Sequence, residues 1–451
     1  MDDPQTNPRE RSHARRAAGR RGAWPPAALG LVLAALCSAP GRAFEKDTAA
    51  TAARAKELVR KLDADELAIR AAAERQLVDG GPELLPYLPQ PSAAASAEVQ
   101  HRLARIRAQL EQARAAAAAR TSTVTFEGRA LPAADVLATI EQQTGNSIVL
   151  DDSSAPAAHD SKVTVAWQAV PFWRALDELL DSARLTTYPY SGKSALRIVA
   201  ADPAARPRSG HAAYSGPFRF EVVRVDAYRE LRTSARRGVR VQIEVAWEPR
   251  LAPIGLTQPL CDVRAATADG TPLPPANRSA EVAPTLTAGT TAAELQIPLE
   301  LPPRSVTHIT RLEGTLAVLL PGSMETFRFQ QLDARPQQQL RRAAVTVTMA
   351  RPRKNNRLWE IQLRVRYDQA FGALASHRGW IFRNECYLLD ASDQRIEHVG
   401  FETTRQSNVE VGLAYLFDLP GTTQGLALVY QTPGTIVSLP VTYELKDIPL
   451  P

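Results

Sequence analysis

The densest group of polar and aromatic side chains lies in the last quarter of the chain. His377, Arg378 and Trp380 stand close together, and Glu402 and Arg405 follow soon after. Exposed tryptophan and arginine side chains carry much of the binding energy at protein interfaces. We therefore predict an interaction surface in which Trp380 is the anchor and Arg378 and Arg405 are polar contacts. The alternative is a structural network of Glu–Arg pairs.

The same residues could also do acid–base chemistry. His377 could act as a base if Glu385 or Glu402 oriented it. No nucleophile is placed to complete such a site. An unrecognised hydrolase is therefore the third of our functional hypotheses.

Other catalytic and ligand-binding motifs are missing from the sequence. Residues 191–194 (SGKS) resemble the end of a phosphate-binding loop, but Thr187 stands where that loop needs a glycine. The sequence has no G-x-S-x-G, H-E-x-x-H, C-x-x-C or EF-hand pattern. His159 lies near three aspartates of the same loop, whose spacing favours a solvated loop over a metal site; they are Asp151, Asp152 and Asp160. We predict no catalytic residue, no cofactor and no metal.

Two of the three cysteines fall at corresponding points of a repeated region. Cys261 and Cys386 precede turns in two copies of one pattern, so a disulfide would have to join two separate cores. We expect two buried, free thiols.

The positive charge is concentrated at the N-terminus. Four of the six net positive charges belong to residues 1–43, and the remainder of the chain is close to balanced. The high isoelectric point is therefore poor evidence for nucleic-acid binding, which we do not predict.

Residues 1–43 have the pattern of a secretory signal peptide. Six arginines precede an apolar run over residues 27–39, which is too short to span a bilayer comfortably, and Gly41-Arg42-Ala43 supplies small residues around a cleavage site. We expect cleavage after Ala43. Lipidation at Cys37 and retention of the segment as an anchor are the alternatives. Without such an anchor, the protein would associate with a membrane only through a partner protein.

Residues 44–120 are rich in alanine, leucine, arginine and glutamate and are predicted to be helical. Asp63 or Asp65 can cap one helix, Gly80-Gly81 can end it, and Ser96 can cap another. The second of these helices carries one apolar stripe, formed by Val99, Leu103, Ile106 and Leu110. Two helices around a proline-started turn resemble one HEAT-type repeat. A plain helical spacer is the alternative.

Residues 121–202 contain an internal duplication with a spacing of 39 residues. A strand followed by Pro132 and a helix in the first half matches a strand followed by Pro171 and a helix in the second. The predicted order is β-α-β-β-α-β-β, with the helices on one face of a small sheet.

This segment resembles a known family. "LPAADVL", "TGNSIVLD" and "KVTVAWQAVPFWRALDELL" are similar to the short N-terminal domain shared by secretins and TonB-dependent receptors. The resemblance implies a periplasmic protein-interaction module that stacks into rings or contacts a signalling partner. Nothing downstream resembles a secretin pore, a TonB plug or an outer-membrane barrel, so only the interaction role is carried over.

The rest of the chain is rich in predicted strands. A linker over 203–216 leads to two copies of one strand pattern, over 217–335 and 336–451, in which residues 241–247 match residues 361–367. Short alternating strands between turns predict two tandem immunoglobulin-like β-sandwiches. In the first copy, the equivalent stretch is residues 254–260, and it carries no charged side chain. The polar cluster around Trp380 is therefore specific to the second copy.

Together these patterns predict a multidomain α+β protein: a helical segment, the small β-α-β-β-α-β-β domain and two tandem β-sandwiches. We expect an exported protein, periplasmic or at the cell surface, with a non-enzymatic role in protein–protein interaction or scaffolding. Its expected partners are other envelope proteins. The alternative is a carbohydrate- or peptide-binding protein that uses the second sandwich.

Overall fold

The protein is described by a computed structural model over residues 41–89, 96–151, 153, 160–233 and 237–451, with no side-chain description for 41–48. The predicted signal peptide therefore lies almost entirely outside the described residues. Residues 50–451 form one compact unit. Its elements are both helical and extended, which confirms the mixed α+β class.

The N-terminal part contains three α-helices and one 3-10 helix within its described ranges, 41–89 and 96–120. Their bounds are α1 Gly41–Lys61, α2 Leu67–Asp79, a 3-10 helix Pro82–Tyr87 and α3 Ala97–Ala118. Gly80 ends α2, and the Ser96 hydroxyl accepts the backbone N–H of Val99 at 3.3 Å, as predicted. Neither Asp63 nor Asp65 caps α2, because that helix starts after Glu66. The predicted stripe of α3 is buried in a small core shared by the three helices.

The described residues of the next segment have the predicted order of elements. These are β1 Thr123–Pro132, α4 Ala133–Thr144, β2 Ile148–Leu150, β3 Lys162–Pro171, α5 Phe172–Ala183, β4 Leu185–Tyr188 and β5 Leu196–Ala200. The predicted single sheet is wrong. β1 pairs with β3, while β2, β5 and β4 form a separate three-stranded sheet. The two helices contact strands of both sheets, so the core of this small domain lies among two sheets and two helices.

The 39-residue duplication appears as reciprocal hydrogen bonds between β1 and β3. The Thr125 hydroxyl accepts the backbone N–H of Ala169 at 2.9 Å, and the Thr164 hydroxyl accepts that of Ala130 at 3.2 Å. Both alanines have a positive φ, of 51° and 52°. Because an alanine in this region is strained, the side-chain bonds stabilise the same irregularity in each half.

The first sheet pair begins directly afterwards. Its strands in this part of the chain are β6 Ala213–Ser215, β7 Phe218–Arg229, β8 Arg237–Trp247, β9 Gly255–Pro259, β10 Arg264–Thr267, β11 Glu281–Val282, β12 Ala292–Leu299 and β13 His308–Pro321. One sheet has the order β12-β8-β7-β6, and the other contains β10, β13, β9 and β11. Their facing side chains share one core.

The second sheet pair uses most of the remaining strands. These are β14 Met324–Phe329, β15 Gln337–Arg342, β16 Val345–Ala350, β17 Arg353–Asn355, β18 Leu358–Tyr367, β19 Cys386–Leu389, β20 Arg395–Glu397, β21 Gly400–Gln406, β22 Glu410–Phe417 and β23 Ala427–Pro433; β24 Ile436–Pro449 completes the chain. The sheets are β14-β23-β19-β20 and β15-β16-β18-β22-β21, with β17 paired to β18. They share a second core.

The two sheet pairs exchange strands across the border predicted near residues 334–336. β14 precedes that border but pairs with β23 of the second sheet pair, and β24 returns from the C-terminus to pair with β13 of the first. The register continues without a shift from one pairing to the next, so β13–β14 and β23–β24 form one long ribbon through both sheet pairs. The predicted bounds of 217–335 and 336–451 must therefore be corrected.

The repeat of residues 241–247 at 361–367 holds at the level of burial. Val241, Ile243, Val245 and Trp247 on β8 face the first core, and the aligned residues of β18 face the second. Alternation of apolar residues along a half-buried strand accounts for this correspondence. Trp247 accordingly points inward and is buried.

Candidate interaction surface

The structure places Trp380 in the core of the second sheet pair. Its indole Nε1–H donates to the carbonyl of Ala373 at 2.7 Å, and its ring meets Tyr367 edge-on at 6.0 Å. Only 5% of the residue is exposed. Trp380 opens a 3-10 helix, Trp380–Arg383, that turns the indole inward. The prediction that Trp380 anchors a surface contact is therefore wrong.

Arg378 is buried as well and joins the two sheet pairs. Its Nη2 donates to the hydroxyl of Thr257 at 2.5 Å and to the carbonyl of Leu256 at 3.3 Å. A Cβ at Gly255 would lie 2.1 Å from Arg378 Nη1, so the guanidinium occupies the space that this glycine leaves. Burial lowers the pKa of Arg378. Arg378 is a structural contact rather than a surface contact.

The other three predicted residues are exposed. The rings of Phe382 and Phe401 stack 5.9 Å apart. This contact brings the segment around Trp380 next to the strand that carries Glu402 and Arg405. Within this region Glu402 and Arg405 lie on the edge strand β21, and Arg405 pairs with Glu410 at 3.5 Å. A bulge in β21 and a paired charge are features that oppose strand addition at a sheet edge. Because Trp380 is buried, the exposed His377, Glu402 and Arg405 lack the tryptophan anchor predicted for them.

The described contacts do not assemble a hydrolase around His377. Its Nε2 accepts a hydrogen bond from Arg378 Nε at 3.3 Å. Among the described residues no hydrogen bond links His377 to Glu385 or Glu402, and Glu385 pairs with Arg395 at 3.2 Å. Neither carboxylate orients the imidazole as a general base would require.

The cysteines and the aspartate loop differ in part from the predictions. Cys261 and Cys386 are both free; Cys386 is buried as predicted, but Cys261 is exposed. Burial raises the pKa of the Cys386 thiol. In the loop, Asp152 and His159 lie outside the described residues. No group of His, Cys, Asp and Glu suited to a metal occurs in the part of the chain that the structure describes.

A buried polar network fastens the small domain to the first sheet pair. Arg219 on β7 donates to Asp177 on α5 at 2.8 Å and to Glu244 on β8 at 3.1 Å. Its guanidinium lies 4.5 Å from the ring centre of Trp173, and the Tyr214 hydroxyl donates to Asp177 at 2.9 Å. Burial raises the pKa of the Asp177 carboxyl, and the guanidinium opposes that shift.

A second network lies around the fully buried Glu248. Its carboxylate accepts the hydroxyl of Ser122 at 2.7 Å, the amide of Asn146 at 3.0 Å and Nε of Arg250 at 2.6 Å. Ser122 and Asn146 belong to the small domain. Two independent polar contacts therefore fix that domain on the first sheet pair.

The segment predicted as a linker, 203–216, takes part in the same junction. Arg208 donates to Glu221 of β7 at 2.7 Å and to the Thr186 hydroxyl of β4 at 2.6 Å. Residues 213–215 form β6. The segment connects the two parts as a linker would, but these contacts also hold it against both neighbours.

The three-stranded sheet of the small domain presents an exposed row of large side chains on its outer face. Val149 on β2 and Tyr188 on β4 are both in register with Arg197 on the central strand β5. Val149 and Tyr188 are each 44% exposed, and Tyr190, just beyond β4, is 43% exposed. Partners in register point to the same face. We call these four residues the tyrosine face.

The geometry of the tyrosine face is partly fixed. The rings of Tyr188 and Tyr190 lie edge to face, 6.1 Å apart, and Arg197 lies 6.0 Å from the Tyr188 ring while pairing with Asp151. The carbonyl of Pro189, between the two tyrosines, accepts the backbone N–H of Thr291 at 3.1 Å. Sequence reasoning missed this face; the signal available was a tyrosine at an outward position of the alternating strand Leu185–Tyr188.

Searches with family models and against curated proteins find nothing similar to this chain. The resemblance of residues 121–202 to the secretin and TonB-receptor domain therefore depends on the residue pattern alone.

Proposed function

We propose that the chain is an exported bacterial-envelope protein that acts as a non-enzymatic protein–protein interaction or scaffolding module. The observation that carries this proposal is the tyrosine face. Tyrosine and arginine are enriched among the residues that dominate binding energy at interfaces. Here two tyrosines, an arginine and a valine share one exposed sheet face.

The contacts that hold the small domain in place support its role as a rigid binding surface. Its contacts through Arg219 and Glu248 fix one side to the first sheet pair, while the three-stranded sheet turns its outer face away from its own core. Side chains on a rigid sheet lose little conformational freedom when a partner binds. The resemblance of this domain to a periplasmic interaction module agrees with such a role.

Export is proposed from residues 1–43, whose pattern is that of a secretory signal. Among the described residues, no helix has the length and apolar character to cross a bilayer. Carbohydrate or peptide binding by the second sheet pair loses its main support, because Trp380 and Arg378 are buried.

Site-specific photocrosslinking in the native host tests the proposal. A photoreactive phenylalanine analogue at Tyr188 should give one discrete adduct with an envelope protein. The same analogue at Phe371, which is 50% exposed and lies far along the chain on the second sheet pair, is the matched control. Adducts of equal yield at both positions, or none at position 188, would contradict the proposal.

A further inference from the structure

A row of three glutamates crosses the sheet next to the tyrosine face. Glu221 on β7 and Glu294 on β12 both lie directly opposite Glu244 on the strand between them. Like charges directly opposite each other in a sheet are destabilising unless cations neutralise them. The stability of this sheet therefore depends on which of the three carboxylates is paired with a cation.

Two of the three carboxylates are neutralised within the chain. Glu221 pairs with Arg208 at 2.7 Å, and Glu244 pairs with the buried Arg219 at 3.1 Å. Glu294 is exposed and receives a hydrogen bond from the amide of Gln242, a neutral donor. Among the described residues, no cation pairs with Glu294.

Glu294 stands beside the tyrosine face. The hydrogen bond from Thr291 to Pro189 joins the start of β12 to the segment between the two tyrosines. Gly289 and Gly192 are also in close contact, since a Cβ at Gly289 would lie 2.3 Å from the Gly192 carbonyl oxygen. Partial burial, with the nearby charges of Glu244 and Glu294, raises the pKa of Tyr190 to about 12.

An aromatic ring beside an unneutralised carboxylate suits a cationic side chain. The face of a tyrosine ring attracts ammonium and guanidinium groups, and a nearby carboxylate adds an ion pair. Tyr188 already has Arg197 near its ring, whose charge Asp151 balances. Tyr190 has no cation near its ring among the described residues.

We propose that the protein partner of the tyrosine face inserts a lysine or arginine side chain between Tyr190 and Glu294, with its apolar surface against Val149 and Tyr188. The negative charge of Glu294 favours a partner with a positively charged side chain at this position. This inference depends on the proposed function, because it assigns the chemistry recognised by that same surface.

The test uses acetylated hexaarginine amide as the probe and hexacitrulline, which has a similar shape without charge, as its control. Binding to the full chain is followed by NMR of selectively 13C-labelled tyrosine rings, with Tyr190→Phe used to assign its signal. We expect hexaarginine to shift the Tyr188 and Tyr190 signals and hexacitrulline to leave them in place. Glu294→Gln should weaken hexaarginine binding by at least about threefold, and Glu300→Gln, at an exposed position just after β12, should not.

Two results would overturn the inference: shifts confined to other tyrosines, or equal affinity of the Glu294→Gln and wild-type chains. A crosslink at Tyr188 combined with either result would leave the proposed function standing and reject a basic partner. Absence of that crosslink would instead reject the surface itself.

Discussion

Asp177 and Arg219 form an ion pair with an Oδ1–Nη1 distance of 2.8 Å, and both side chains are almost completely excluded from solvent. The pair joins a helix of the small domain to a strand of the first sheet pair. Such a contact can be more important for the fixed orientation of the two parts than for net stability, because desolvation offsets much of the attraction.

Removal of one member of this pair should be strongly destabilising. Asp177→Ala leaves Arg219 as a buried, partly uncompensated cation, and we expect the free energy of unfolding to fall by about 3–5 kcal/mol. The triple variant Asp177→Leu/Arg219→Met/Glu244→Gln, which also removes the second carboxylate that Arg219 neutralises, should lose much less. Chemical denaturation of the full chain measures both, with Asp368→Ala, which breaks the exposed pair Arg341–Asp368, as a control expected to cost at most about 1 kcal/mol. Equal losses in the single and triple variants would argue against this view of the pair.

The two core tryptophans should respond alike to truncation. Trp247→Ala and Trp380→Ala each empty a large buried site, and each should cost about 3–5 kcal/mol. Trp359 lies at a more exposed position, where Trp359→Ala should cost clearly less. Denaturation midpoints of the three variants measure these losses. A Trp380→Ala midpoint close to the wild-type value would show that Trp380 is not a core residue.

The two cysteines of the described chain should differ in reactivity. In a Cys37→Ser variant, the exposed Cys261 should react with a thiol reagent at once. Cys386 should react only after denaturant is added, because burial both shields it and raises the pKa of its thiol, which keeps the unreactive protonated form. Thiol titration before and after denaturation gives the two counts. Two fast equivalents in the folded protein would contradict the burial of Cys386.

Loss of the C-terminal strand should damage the first sheet pair rather than the second. A chain ending at Gly434 lacks β24, which supplies five buried residues to the first core: Val437, Val441, Tyr443, Leu445 and Ile448. We expect amide hydrogen exchange of β13 to lose its protection while that of β18 keeps most of it. A chain ending at Pro449 is the control. Equal protection of β13 in the two truncated chains would show that β24 is dispensable.

The repeated parts of this fold could be predicted because burial imposes a period on the sequence. The 39-residue duplication and the match of β8 with β18 both preserve the apolar positions that face a core. The sequence indicates much less clearly which strands pair with one another. β14 and β24 alternate like any half-buried strand, and alternation does not tell which sheet a strand joins.

The candidate surface could not be predicted for a related reason. Trp380 lies in a short 3-10 helix, where neither the helical nor the strand period indicates the direction of the side chain. Tyr188 and Tyr190 are exposed, and exposed positions carry no constraint from packing. Their significance follows from register with Arg197 and Val149 across β2, β5 and β4, which depends on tertiary pairing.

The return of β24 to β13 also determines when the chain can fold. β13 is synthesised long before β24, so the first sheet pair keeps an open strand edge until β24 has been made. Pairing between strands so distant in sequence is slow to form. Folding of the first sheet pair therefore waits until β24 has been made instead of proceeding along the chain one domain at a time. Under the proposed export of an unfolded chain, the first sheet pair would close only after β24 has followed β13 across the membrane.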